Sequence, residues 1–186
     1  VEEMARRMMN AAHDHRMCRM IIVNKIDAEG VDLEKTFNDI QEAFGKECLP
    51  MNLPSADGSK VVDCFFQLEG DDTAFSSVGE AHTQIVDQVV EVDEALMEIY
   101  LEQGEELAPE QLHDPFEKAL REEHLVPVCF VSAETGIGIR QLLQIFERLM
   151  PNPTEANPPI FLKGEGPDAK EVSVSPDPDA HAIAHV

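Results

Sequence analysis

Apolar residues recur at helical spacing in some stretches of the chain and run unbroken in others, and the switches between the two predict its elements. Residues 4–16 put Met4, Met8 and Ala11 or Ala12 on one helical face. Met20-Ile21-Ile22-Val23 is a short unbroken apolar run, the pattern of a strand buried on both faces in a parallel sheet. Polar Asn24-Lys25-Ile26-Asp27 ends it. A second helix is predicted from about Asp32, with Leu33, Phe37, Ile40 and Phe44 on one side and Gly45 as a stop. Residues 49–54, with two prolines, and Asp57-Gly58-Ser59 read as loop and turn. Residues 61–68 are apolar and aromatic, a predicted strand, and 70–79 are loose and polar. One long helix is expected over 80–103, because Ile85, Val89, Val92, Leu96 and Ile99 form a stripe against Glu, Asp and Gln. Another is expected from Asp114, with Asp114 as cap, Pro115 in the first position and Glu117 completing a capping box. Pro127-Val128-Cys129-Phe130-Val131 is a second buried strand, ending in Ser132-Ala133-Glu134-Thr135-Gly136. A helix follows from about 138, carrying Leu142, Leu143, Ile145, Phe146 and Leu149.

The order is helix–strand–helix, an intervening stretch, then strand–helix. Parallel strands need crossover connections, so the outer parts predict half of an open α/β sheet. The expected division is 1–48 with 125–150 as the sheet domain and 49–124 as an inserted α+β subdomain. Residues 151–159 carry four prolines and read as a linker. Residues 160–186 read as the opening strands of an all-β domain. Val1 opens in mid-helix without an initiator Met or a cap, and the alternating pattern at 180–186 stops abruptly, so a longer parent protein is expected.

Composition narrows the functions. The 186 residues hold 14 Lys+Arg against 37 Asp+Glu, a net charge of −23, and 43% hydrophobic residues. The apolar fraction allows a real core. The charge argues against direct gripping of nucleic-acid phosphates by this chain, which needs clustered Lys and Arg. No run of 18 apolar residues and no signal-peptide pattern is present, so a membrane role is not expected. Cys18, Cys48, Cys64 and Cys129 contain no CxxC pair, which predicts reduced thiols in a cytoplasmic protein rather than a zinc ribbon or disulfide framework. His13-Asp14-His15 and the His181/His185 pair lack the pattern of a metal site and read as surface residues. The cluster of Met4, Met8, Met9, Met17 and Met20 reads as a packing face. Cys18, near Arg16 and Arg19, reads as a buried thiol.

Two polar motifs remain, each directly after a buried strand, where open α/β sheets bind ligands. Asn24-Lys25-Ile26-Asp27 has the form NKxD. A carboxylate at Asp27 can accept two parallel hydrogen bonds, from guanine N1–H and the 2-amino group. Adenine offers neither donor in that geometry and would leave the charge unpaired. Hydrogen bonds to a charged group contribute about 1.5–3 kcal/mol each, enough to set base identity. The Lys25 stem can lie across a purine face with its ammonium on polar groups. The Asn24 amide can donate and accept at once, tying this loop to its neighbours or to the base edge. At Ser132-Ala133 a small residue lets a backbone N–H approach a ligand carbonyl such as guanine O6, and Ser132 can hydrogen-bond within the loop.

NKID and SAETG together resemble the fourth and fifth sequence boxes of P-loop-class GTPases. Asp27 and Ser132 stand 105 residues apart in the sequence, where a minimal GTPase has a few tens. An inserted domain at that place is typical of elongation factor G. Cys18 through Asp27, Glu91 through Glu102, Pro127-Val128, Leu142-Leu143 and Met150-Pro151-Asn152-Pro153 are also similar to that family. The resemblance covers nearly the whole chain. It implies a partial P-loop GTPase-type sheet with an inserted subdomain, followed by the first strands of a β-barrel. It implies GTP or GDP as ligand, read by Asn24, Lys25, Asp27, Ser132 and Ala133, with Mg²⁺ only in the intact parent. It implies a ribosome-associated parent that drives tRNA–mRNA translocation, with the insertion facing the large-subunit stalk proteins. The alternative is a protein-docking module of a related factor, one for release-factor recycling or ribosome protection. No GxxxxGK[ST] phosphate loop is present: Gly45-Lys46 is the only Gly-Lys pair, and Ile40 stands where its first glycine would be. The boxes that hold Mg²⁺ are expected ahead of Val1. No catalytic and no metal-ligating residue is therefore assigned, and the chain by itself is not expected to hydrolyse GTP.

Overall fold

A computed structural model of the protein describes residues 1–103, 107, 109–152, 155, 157, 161–164, 166–172 and 179. Its helices are α1 (Glu3–Asp14), α2 (Leu33–Phe44), α3 (Val78–Val90), α4 (Glu94–Gln103), α5 (Pro109–Arg121) and α6 (Ile139–Arg148). Its strands are β1 (Ile21–Val23), β2 (Cys48–Pro50), β3 (Asn52–Pro54), β4 (Val61–Asp63), β5 (Val126–Phe130), β6 (Phe161–Lys163) and β7 (Lys170–Val172). The α/β class expected from the sequence holds. β5 lies between β1 and β2 and is parallel to both, with Val23 opposite Phe130 and Cys48 opposite Val126. β3–β4 and β6–β7 are antiparallel hairpins.

All five residues of β5 are buried, as its unbroken apolar run requires. β1 departs from that expectation, because Ile22 is 45% exposed. It pairs with β5 alone among the described strands, and the side of the sheet carrying Ile22 meets solvent. The methionine cluster departs too. Met4, Met8 and Met17 are exposed, and only Met9 and Met20 pack against the core. Cys18 is half-buried, and burial raises its thiol above the ordinary value. The other three cysteines are buried free thiols, pushed up to about 12 chiefly by that burial.

Four element assignments change for local reasons. Residues 49–54, expected as a loop, lie almost wholly in β2 and β3. Pro50 and Pro54 sit at the last residue of each strand, where the missing N–H disturbs the ladder least. β4 stops at Asp63 because its Oδ1 accepts from the N–H groups of Phe65 and Phe66, both at 2.7 Å, and turns the chain. The helix expected over 80–103 is two helices. Asp93 caps the second: its Oδ1 accepts from Leu96 N–H at 3.0 Å, and the Lys118 ammonium donates to the Val92 carbonyl at the break. The stripe survives the break, with Ile85, Val89 and Leu96 buried. α5 runs through Asp114-Pro115 without starting there, because Leu112, Phe116, Ala119 and Leu120 form one continuous buried stripe.

The core is one cluster that joins the sheet to residues 49–124. Phe37 stacks on Phe75 at 5.1 Å, Phe75 meets Phe130 edge-on at 5.6 Å, and Phe65 meets Phe116 at 5.4 Å. Each such ring contributes about 1.5–3 kcal/mol by burial. The linker and β-domain expectations fall mostly on residues outside the described set, as does the His181/His185 pair; β6 and β7 are the described part of 160–186.

Candidate functional site

β1 and β5 are parallel and in register to their last residues, so the chain leaves both at the same end of the sheet, side by side. Backbone hydrogen bonds continue past the strands. Val131 N–H donates to the Val23 carbonyl at 2.9 Å, and Ile26 N–H to the Val131 carbonyl at 3.3 Å. The two loops that the sequence singled out are therefore neighbours, 105 residues apart in the chain.

Asn24 joins them. Its Oδ1 accepts from the N–H of Lys25 at 2.8 Å and from the N–H of Ala133 at 3.0 Å. Of the roles open to Asn24, the oxygen takes the tie between loops. The Ala133 N–H, which the sequence offered to a ligand carbonyl, donates to Asn24 here. Lys25 adopts φ 65°, in the left-handed region, and Ala28 N–H closes a tight turn on the Lys25 carbonyl at 3.1 Å. A left-handed residue with a side chain costs about 1–2 kcal/mol, which the surroundings must offset. The buried Ile26 side chain supplies an anchor. Lys25 and Asp27, on either side of it, are exposed, so the loop presents an ammonium and a carboxylate to solvent from a fixed base.

The second loop is fixed from within. Ser132 is fully buried, and its Oγ accepts from Thr135 N–H at 3.2 Å. Its N–H donates to the Ile137 carbonyl, and its carbonyl accepts from Gly136 N–H, both at 2.9 Å. Gly138 then starts α6 at φ 75°, and a Cβ there would lie 2.4 Å from the Phe130 carbonyl oxygen, so only glycine fits between β5 and the helix. Ser132 holds the loop closed, while Ala133 is exposed beside Asn24.

Two residues outside both motifs support the site. Asn52, fully buried, donates through Nδ2 to the Phe130 carbonyl at 3.0 Å and accepts through Oδ1 from Phe130 N–H at 2.7 Å. Gly58 lies against the Ile26–Asp27 peptide. Asp57-Gly58 was legible as a turn, but nothing in its spacing pointed to NKID. Open cavities of about 490 and 510 Å³ lie elsewhere, between α2 and α3 and beside the break before α4, and neither is lined by the two loops. His13 pairs with Glu123 at 2.6 Å, and Arg19 meets the same carboxylate at 3.2 Å, so these side chains serve as ties rather than ligands.

The sequence profile described as the elongation factor Tu GTP binding domain matches residues 1–152. The chain belongs to that family. It is 28% identical to elongation factor G of Fervidobacterium nodosum, covering 100% of this chain and 29% of that protein. It is 27% identical to an elongation factor G-like protein of Mycobacterium tuberculosis, covering 100% of this chain and 27% of that one. Elongation factor G 1 of Pseudoalteromonas atlantica is 29% identical over 93% of this chain and 28% of its own length. The chain thus spans a little over a quarter of these curated relatives. Family membership makes it part of a GTP-binding elongation-factor group, as the two boxes implied. Among the described residues no helix is long and apolar enough to cross a membrane.

Proposed function

We propose that this chain is the guanine-reading part of a ribosome-associated translation elongation GTPase in the cytoplasm, whose intact form couples GTP hydrolysis to tRNA–mRNA movement. The observation that carries this reading is the Asn24 bridge, which holds an exposed Lys25–Asp27 pair beside Ala133 at the carboxyl ends of adjacent parallel strands. In this reading the Asp27 carboxylate accepts from guanine N1–H and the 2-amino group. The Lys25 stem covers the base and Ala133 bounds its other side, on a loop that buried Ser132 holds in place. Phosphate binding, Mg²⁺ and attack by water are supplied by parts of the intact protein outside this chain; GTP provides the cleavable phosphoanhydride.

Residues 49–124 are proposed to face the ribosome at its large-subunit stalk proteins, a role supported by the likeness to elongation factor G. Glu91, Glu94, Glu98 and Glu102 are exposed on and beside α4, so an acidic partner would have to dock on another face.

The test is Asp27→Asn in the intact protein. An amide at that position can no longer accept both base donors, but it can pair with xanthine, which carries a carbonyl in place of the 2-amino group. Loss of two charge-assisted bonds should weaken GTP binding by roughly 10²–10⁴-fold. Xanthosine triphosphate should become the preferred nucleotide. An unchanged preference for GTP would overturn the reading.

A further inference from the structure

The β3–β4 hairpin touches the first guanine loop and the strand that feeds the second. At its base, Asn52 makes two hydrogen bonds to the backbone of Phe130, three residues before Ala133. Met51 N–H adds a third bond to β5, donating to the Val128 carbonyl at 2.9 Å. At its tip, Gly58 sits at φ 67°, and a Cβ there would lie 2.0 Å from the Ile26 carbonyl oxygen and 3.2 Å from Asp27 N. The tip is itself rigidly tied. Ser55, 1% exposed, donates its Oγ–H to Asp57 Oδ1 at 2.7 Å, and Ser59 N–H donates to the same oxygen at 3.0 Å. Those donors hold the Asp57 carboxyl down to about 2. Ser55 N–H donates to the Lys60 carbonyl and Gly58 N–H to the Ser55 carbonyl, both at 2.9 Å.

We infer that the β3–β4 hairpin, through Gly58 at its tip and Asn52 at its base, positions the Asp27 carboxylate for the guanine edge and so sets base specificity. This rests on the guanine reading above. The tip presses on the one peptide that fixes where Asp27 projects, while the base fixes the strand that feeds the opposing loop. Residues read from the sequence as belonging to an insertion thus become part of the nucleotide site. Anything that moves the hairpin moves the base-reading acid.

The test compares inosine diphosphate with guanosine diphosphate on the intact protein. Inosine lacks the 2-amino group, so the ratio of the two Kd values reports how well the Asp27 carboxylate is placed. A change that merely lowers the folded fraction leaves that ratio unchanged. Gly58→Ala forces a methyl group into the Ile26 carbonyl, and a shift of about 1 Å at a reading group is enough to lower the ratio about tenfold. Ser55→Ala loosens the tip without inserting atoms, and should lower it about threefold. Where Gly58→Ala does not fold, Ser55→Ala decides. A wild-type ratio in folded Gly58→Ala, or in Ser55→Ala when that variant decides, overturns the inference. Asp27→Asn measured alongside separates the two readings: if it switches preference to xanthine while the hairpin variants keep the wild-type ratio, the hairpin role alone falls.

Discussion

One oxygen, Asn24 Oδ1, accepts from two backbone N–H groups that belong to loops far apart in the chain. Asn24→Ala removes that acceptor and frees both donors to water. The site is exposed, so global stability should change little, because water replaces the lost partner. The local effect is sharper. Amide hydrogen exchange at Ala133 should speed up about tenfold, the equivalent of one hydrogen bond. The amide of Thr135, held separately by Ser132 Oγ, should keep its rate. Equal acceleration at both amides would show that the second loop depends on Asn24 as a whole. Lys25 and Asp27 were readable as chemistry from residue type and spacing alone. The tie to Ala133 was readable only as one option for an amide with both a donor and an acceptor.

At the scale of elements, local signals were trustworthy where burial agreed with them and failed where it did not. α2 begins with Asp32 accepting from Lys35 N–H at 2.8 Å and buries Leu33, Phe37 and Ile40, as its periodicity required. α5 is the contrary case. Asp114-Pro115 with Glu117 has every mark of a helix start, yet Leu112 on one side and Phe116 on the other are both buried, and packing carries the helix through. A proline inside a helix is unfavourable by about 3 kcal/mol relative to alanine, partly offset by the freedom it removes from the unfolded chain. Pro115→Ala is therefore expected to stabilise the protein by about 2 kcal/mol in urea unfolding. Destabilisation would mean that Pro115 marks a true helix start.

For the molecule as a whole, the expected boundary between 48 and 49 falls inside β2, which pairs with β5 in the sheet. Phe37, Phe75 and Phe130 then form an aromatic chain across it, and Phe65 with Phe116 extends the same core into α5. Arg148 of α6 lies over the Phe66 ring, 4.7 Å from its centre. A core this continuous should unfold as one unit. Phe116→Ala should cost about 3–5 kcal/mol, because it empties a fully buried ring position. Hydrogen-exchange protection should fall in β5 and α2 as well as in α3 and α5. Loss confined to α3 and α5 would show residues 49–124 to be an independent unit.

The sequence by itself determined the buried strand β5, the loops that follow β1 and β5, the residue types that suit guanine and the α/β class. Those properties are local: an apolar run favours extended, buried backbone, and a carboxylate three residues after an asparagine keeps that spacing in any fold. Only the tertiary structure decided that β5 pairs between β1 and β2, that Asn24 reaches Ala133, and that the β3–β4 hairpin rests on the first loop and on the strand feeding the second. Those contacts join residues separated by 78 and 109 positions at Asn52–Phe130 and Asn24–Ala133. No periodicity or propensity encodes a pairing at that range, because it depends on where the whole core places each backbone.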